Sequence, residues 1–229
     1  MKYKSALVTE ASGSIGGLTA SHNRGGQYMR ARAIPVNSNT LQQQAVRSLM
    51  ASLSAAWGSV LTQAQRDGWE AYADQVPLPD ALGEPRKGTG LNHFVRCNVG
   101  RQQAGIARIV TAPAIFDLGS FTAPVLGVVD ASDGTASLAY TNTDAWAAAV
   151  GGYMLVYASQ GSPPATGYFK GPYRYAGKVA GAAVPPTSPY ACPLPFAVQT
   201  GQKVFVKVNF IQVDGRYSSP FRSGGLVTA

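Results

Sequence analysis

Residues 203–221, KVFVKVNFIQVDGRYSSPF, decide how the second half of the chain is read. Val204, Val206 and Val208 recur every second position, the period of a strand that puts one apolar face on a core. Asp214-Gly215 then interrupts the run with a residue pair suited to a tight turn, and Tyr217 to Pro220 brings the chain back. The stretch is a β-hairpin in which the first strand is long and strongly apolar.

Working outward, the rest of residues 111–229 has the same character. Short runs that alternate, or are rich in β-branched and aromatic residues, occupy 136–141, 153–158, 173–179 and 203–213. Asp133-Gly134, Gly151-Gly152 and Asp214-Gly215 punctuate them at the spacing of a sandwich. The closing hairpin resembles the last hairpin of a fibronectin type III domain. DGTASLAYTN (133–142) and GGYMLVYAS (151–159) resemble that fold's second and third strands. The resemblance implies an immunoglobulin-like β-sandwich over about half the chain, in a family whose members mostly adhere or space rather than catalyse.

Upstream, residues 40–110 change to helical periodicity. Asn39 or Thr40 is placed to cap a helix in which Leu41, Ala45, Leu49, Leu53 and Trp57 form an apolar stripe, with Gly58 ending it. Thr62 and Gln65 form a capping box for a second helix, which has Trp69, Tyr72 and Val76 on one face and is stopped by Pro77 and Pro79. A third helix over 91–104 aligns Leu91, Phe94, Val95 and Val99, so the three predict a small helical bundle. Residues 1–39 are glycine-rich and lack helical periodicity. Residues 4–9 read as a short strand, and 18–22 pairs with 27–33 across Asn23-Arg24-Gly25-Gly26. Tyr28, Arg30 and Arg32 then share one face, and Met29, Ala31 and Ala33 the other. A lone hairpin is marginal in water, so this arm needs a surface to lie on. The expected architecture is α+β and multidomain: an extended arm with a β-hairpin (1–39), a three-helix domain (40–110) and a fibronectin III/Ig-like β-sandwich (111–229).

The 229 residues include 45% hydrophobic side chains, enough for a real core, but only 13% charged ones, about half the usual share. So charge-poor a surface points to contact with protein. The net charge of +8 favours acidic partners, either nucleic acid or an acidic protein lattice. The cations are scattered, with no aromatic–basic repeat of the kind that lines a single-strand groove, and nucleic acid is the lesser expectation.

Several chemistries are set aside on the residues. The run from Ala6 to Gly16 looks like a dinucleotide loop, but Glu10 stands where the first glycine belongs and would repel phosphate. His22 and His93 lie in unrelated segments without a nearby acid and nucleophile. Asp67, Glu70 and Asp74, beside Arg66, read as a solvated helix face, and Asp130, Asp133 and Asp144 as turn residues. Cys97 and Cys192 lie far apart without metal-ligand spacing, and read as free, partly buried thiols of a reducing compartment. No apolar run reaches the length of a signal peptide or a membrane helix, so the sequence reads as a soluble, non-secreted protein with no catalytic, cofactor or metal site.

Arginines and lysines concentrate in the first 110 residues: Arg24, Arg30, Arg32, Arg47, Arg66, Arg86, Lys87, Arg96, Arg101 and Arg108. Arginine's bidentate fork suits docking on carboxylates. The order of a glycine-rich start (Gly13 to Gly17), an arginine-bearing strand (Tyr28 to Arg32), Pro35 to Asn37 and a Gln-rich helix start (Gln42 to Arg47), followed by LTQAQRDGWEAYA, GLNHFVR and IFDLGSFT, resembles an uncharacterised family of tailed phages and prophages. The resemblance covers about the first 120 residues. It implies a virion structural protein assembled in the host cytoplasm, either a capsid decoration, cement or minor head protein or, alternatively, a tail, collar or fibre-adaptor protein. Its expected partners are the major capsid protein or other virion proteins and further copies of itself. The expected contact residues are Arg24, Tyr28, Arg30, Arg32 and Arg47.

Overall fold

The computed structural model describes residues 11–23, 26–34, 36, 37, 39–79 and 84–228. The expected strand at 4–9 lies outside them. The chain divides into two compact units, residues 1–44 and 45–229.

In the smaller unit the expected hairpin is a three-stranded antiparallel meander. β1 (Gly13–Ile15) pairs with β2 (Leu18–Asn23), and β2 with β3 (Gly26–Ala31). Ile15 opposite Leu18 closes the first turn over Gly16-Gly17, so the chain after the supposed phosphate loop continues as sheet, not helix. Thr40 caps α1 (Leu41–Ser59) reciprocally with Gln43. The Thr40 hydroxyl accepts from the Gln43 N–H at 3.3 Å, and the Gln43 side chain accepts from the Thr40 N–H at 3.2 Å.

In the larger unit α1 runs through Gly58 to Ser59 rather than ending before it. The reason is Arg66, whose guanidinium donates to the Trp57, Gly58 and Leu61 carbonyls at 3.0–3.4 Å and satisfies the helix end. α2 (Gln63–Gln75) begins at the expected Thr62–Gln65 capping box. A two-residue pairing of β4 (Leu78–Pro79) with β5 (Pro85–Arg86) leads to α3 (Gly90–Gln103). Glu70 is more than a solvated acid: its carboxylate accepts the Gly90 N–H at 2.8 Å, placing negative charge at the start of α3. The helices share a core of Leu53, Ala56, Trp69, Tyr72, Phe94 and Cys97, but this is not a self-contained bundle. Ile109, Val110, Ala112, Leu118 and Tyr217 close it.

Seven strands form one mixed sheet: β6 (Val125–Asp130), β7 (Thr135–Ala139), β8 (Tyr153–Ala158), β9 (Arg174–Ala180), β10 (Tyr190–Pro193), β11 (Lys203–Ile211) and β12 (Phe221–Thr228), in the spatial order β10-β7-β6-β12-β11-β8-β9. All pairings are antiparallel except β6 with β12. The sheet is nearly barrel-like. Its edge strands β9 and β10 approach each other, and every strand sends side chains into one cluster around Trp146, Met154, Val206 and Phe210.

The hairpin that opened the sequence reading returns differently from expectation. Only Tyr217 pairs back at once, opposite Ile211; Ser218, Ser219 and Pro220 then face two residues of β11, and regular pairing resumes at Phe221 opposite Val208. Ser218 fills the broken ladder, with its hydroxyl accepting the Phe210 N–H at 2.8 Å and its N–H donating to the Phe210 carbonyl at 2.9 Å. β11 is also not half-exposed. Val204, Val206, Val208 and Phe210 face the sheet's inner core, while Asn209 and Ile211 are covered from the other side.

That second cover is α3. At Gly100 a Cβ would lie 2.8 Å from the Leu155 Cδ1 and 3.1 Å from the Tyr217 ring, so any side chain there would have to push these neighbours aside for the helix to sit this close to β8. The Arg96 guanidinium donates to the carbonyls of Tyr217 at 2.7 Å and Ser218 at 2.9 Å, and lies over the Tyr217 ring. Lys178 on β9 donates to the Ala104 carbonyl at 2.7 Å, capping α3 from the sheet. Gly100→Val is expected to cost about 1–3 kcal/mol by overpacking. Circular dichroism (helix) and the amide resonances of β8 and β11 (sheet) should report one shared, lowered melting transition, because both sit in one compact unit.

Candidate docking interface

Register fixes the two faces of the meander. Ser14, Thr19 and Arg30 stand side by side across β1, β2 and β3, with Ser21 opposite Tyr28 on the same face. The Ser14 and Thr19 hydroxyls hydrogen-bond at 2.8 Å. The opposite face carries Ile15, Leu18 and Ala31 in one row and Ala20 beside Met29 in the next. Tyr28 is half-buried and Arg30 exposed. Arg32 follows the strand, also exposed, and its N–H extends the ladder to the Gly17 carbonyl at 2.8 Å. Arg24 lies outside the described residues. Arg47 belongs to the larger unit, where it is exposed on α1.

Apolar exposure accompanies these cations. Ile15 is 88%, Val36 93% and Leu41 82% accessible, and Ile34 is exposed as well. On α1, the stripe expected from Leu41 to Trp57 packs only from Leu49 onward, and residues 41–48 are exposed on every side. The helix overshoots the core because α2 and α3 meet only its C-terminal half. Eight residues of helix have little stability of their own in water. From residue 11 to residue 66 the sequence contains no aspartate or glutamate.

The basic front half is otherwise less available than its composition suggests. Arg66 caps α1, and Arg96 holds Tyr217 and Ser218. Arg101 is buried against the Ala107 carbonyl at 3.0 Å, and Lys87 pairs with Asp74 at 3.2 Å. Sequence reasoning grouped these four with the docking cations.

The buried titratable groups sit away from this surface. Burial pushes both the Cys97 and Cys192 thiols up to about 12, so neither is a thiolate at neutral pH. His93 is completely buried beside Tyr72, their rings edge-to-face at 5.4 Å, and neither imidazole nitrogen nor the Tyr72 hydroxyl has a hydrogen-bond partner. Burial, and then the Arg96 charge, lower the His93 pKa. A sealed imidazole cannot reach a substrate proton. Comparison with family models, curated proteins and solved structures returns no match.

His93 is neutral in the fold and charges in the unfolded chain near its ordinary value of about 6.5. Its contribution to stability is therefore full above that pH and is lost as pH falls from there toward the lowered folded value, by at most about 1.4 kcal/mol per unit. Thermal midpoints measured between about pH 7.5 and 5 should fall with acidity in the native chain. In His93→Phe, which removes the proton site and two unpartnered nitrogens, that part of the slope should vanish with no loss of stability at pH 7.5.

Proposed function

We propose that the chain is a structural protein of a tailed-phage virion, a capsid decoration, cement or minor head protein, which docks on neighbouring virion subunits through residues 11–48. The observation that carries this reading is the combination found there: exposed apolar side chains, exposed arginines and no acid. A meander offers its partner a sheet edge for backbone pairing as well as side chains. Many copies on a lattice would multiply a weak contact into firm retention. The partner this chemistry fits is a major capsid protein or another virion protein with an acidic, partly apolar surface.

The same reading takes residues 111–229 as a fibronectin type III-like sandwich that projects or links subunits. Its support is the strand order, which splits into β10-β7-β6 and β12-β11-β8-β9 around one core, joined by a parallel pairing of just two residues from β6 and two from β12.

Deleting residues 1–35 should abolish binding to purified capsids that lack the protein, as measured by co-sedimentation. Arg30→Glu combined with Arg32→Glu should weaken binding most at low ionic strength, where exposed charges are least screened. Undiminished binding of the deletion would contradict the proposal. Recovery of the native chain with purified tails, and not heads, would move it to the tail.

A further inference from the structure

The outer face of the sheet beyond α3 carries a cluster that the docking reading does not use. Cross-strand register lines up Arg222 on β12, Lys207 on β11, Tyr157 on β8 and Tyr175 on β9 as one continuous row. The Lys207 ammonium lies 4.3 Å from the centre of the Tyr157 ring and 5.6 Å from that of Tyr173. In the next row Phe205 faces Gly224, where a Cβ would come within 2.8 Å of the Phe205 ring, so the ring lies flat over the glycine backbone. Phe169 stacks on Phe205 at 5.7 Å and meets Tyr173 edge-on at 5.3 Å. Between these rings, Tyr168, Arg222 and Ser223 opens a cavity of about 130 Å³.

Its electrostatics are unbalanced. Lys207 and Arg222 are directly opposed on antiparallel strands, an arrangement that destabilises a sheet, and no carboxylate among the described residues forms an ion pair with either. Burial, and then the Arg222 charge alongside, lower the Lys207 pKa. An oxyanion in the cavity on Arg222 would offset this repulsion, and Arg222 can meet it with two parallel N–H groups. The walls are aromatic, so whatever bears the anion presents an apolar or C–H face to them.

We propose that this cavity binds a single pyranose carrying a carboxylate or phosphate, with Arg222 on the anion and Tyr168 against the sugar. Size and ring geometry favour one sugar over a nucleic-acid strand. The cavity falls below the roughly 300 Å³ at which sites for drug-sized ligands begin. Strand binding needs successive open rings, whereas Phe169, Tyr173 and Phe205 are turned onto one another and Tyr168, 66% accessible, is the broad free ring. The inference stands on the sheet alone and does not depend on where the chain docks.

The test is an NMR titration of the full chain with glucuronate, glucose 6-phosphate, glucose, inorganic phosphate and a thymidine dinucleotide. Saturable shifts at Tyr168, Ser223 and Gly224 are expected with glucuronate and glucose 6-phosphate. Phosphate alone should bind about tenfold more weakly, the margin that one ring contact supplies. Arg222→Gln should remove the response. Tyr168→Ala should weaken the two acidic sugars toward phosphate and leave phosphate itself unchanged. The proposal is overturned if neither acidic sugar shifts these amides, if glucose binds as well as they do, if phosphate matches glucose 6-phosphate, or if the dinucleotide binds more tightly than glucuronate.

Discussion

A strand with packing side chains on both faces cannot lie at a surface, and β11 is such a strand. Its inner face is covered because the sheet curls until β9 and β10 approach. Its outer face, at Asn209 and Ile211, is covered by α3 and the segment after it. The join is made by hydrogen bonds as well as by packing. Arg96 occupies the carbonyls of Tyr217 and Ser218 just where the bulge has taken them out of the ladder. Removing that guanidinium would strand the Tyr217 carbonyl at a buried seam, while the Ser218 carbonyl keeps the Asn209 amide at 3.2 Å; leaving such a group unpaired costs more than the bond contributes in net terms. Helices and sheet therefore pack as one compact unit, although the sequence presents them as two.

The same geometry decides what stays uncovered. α3 shields the end of β8 and β11 that carries Leu155 and Ile211, and stops short of Lys207, Phe205 and Arg222. Likewise α2 and α3 engage α1 only from Leu49, leaving its first two turns bare. Two surfaces of different chemistry result. One is acid-free, basic and apolar, on the meander and the first turns of α1; the other is aromatic and doubly cationic on the sheet.

Periodicity made the long elements legible. The run at 153–158 matches β8 residue for residue, and the Thr62–Gln65 box marks where α2 begins. β6, β10 and β12 were not legible. FRSGGLVT has two glycines at the positions opposite Val204 and Phe205, and reads as loop because its stability comes from the partner strand. Alternation in β11 suggested a solvent face, since nothing in the local pattern tells which residues a distant helix will cover. Composition likewise could not separate Arg30, exposed on a strand, from Arg101, buried beneath Ala107: both are arginines in a basic half, and only tertiary structure gives one an internal carbonyl. That Tyr28 and Arg30 share one face of β3 was readable because strand alternation is a local property.

The central proposal is that residues 11–48 dock on a partner while the sheet of the larger unit is stable alone. Amide hydrogen exchange read by mass spectrometry, comparing the isolated chain with the same chain in purified particles, tests it most directly. The account predicts fast exchange over 11–48 in the isolated chain, slow exchange in β8 and β11 in both states, and strong new protection confined to 11–48 in the particle. Protection of 11–48 already present in the isolated chain, or none gained in the particle, would contradict it.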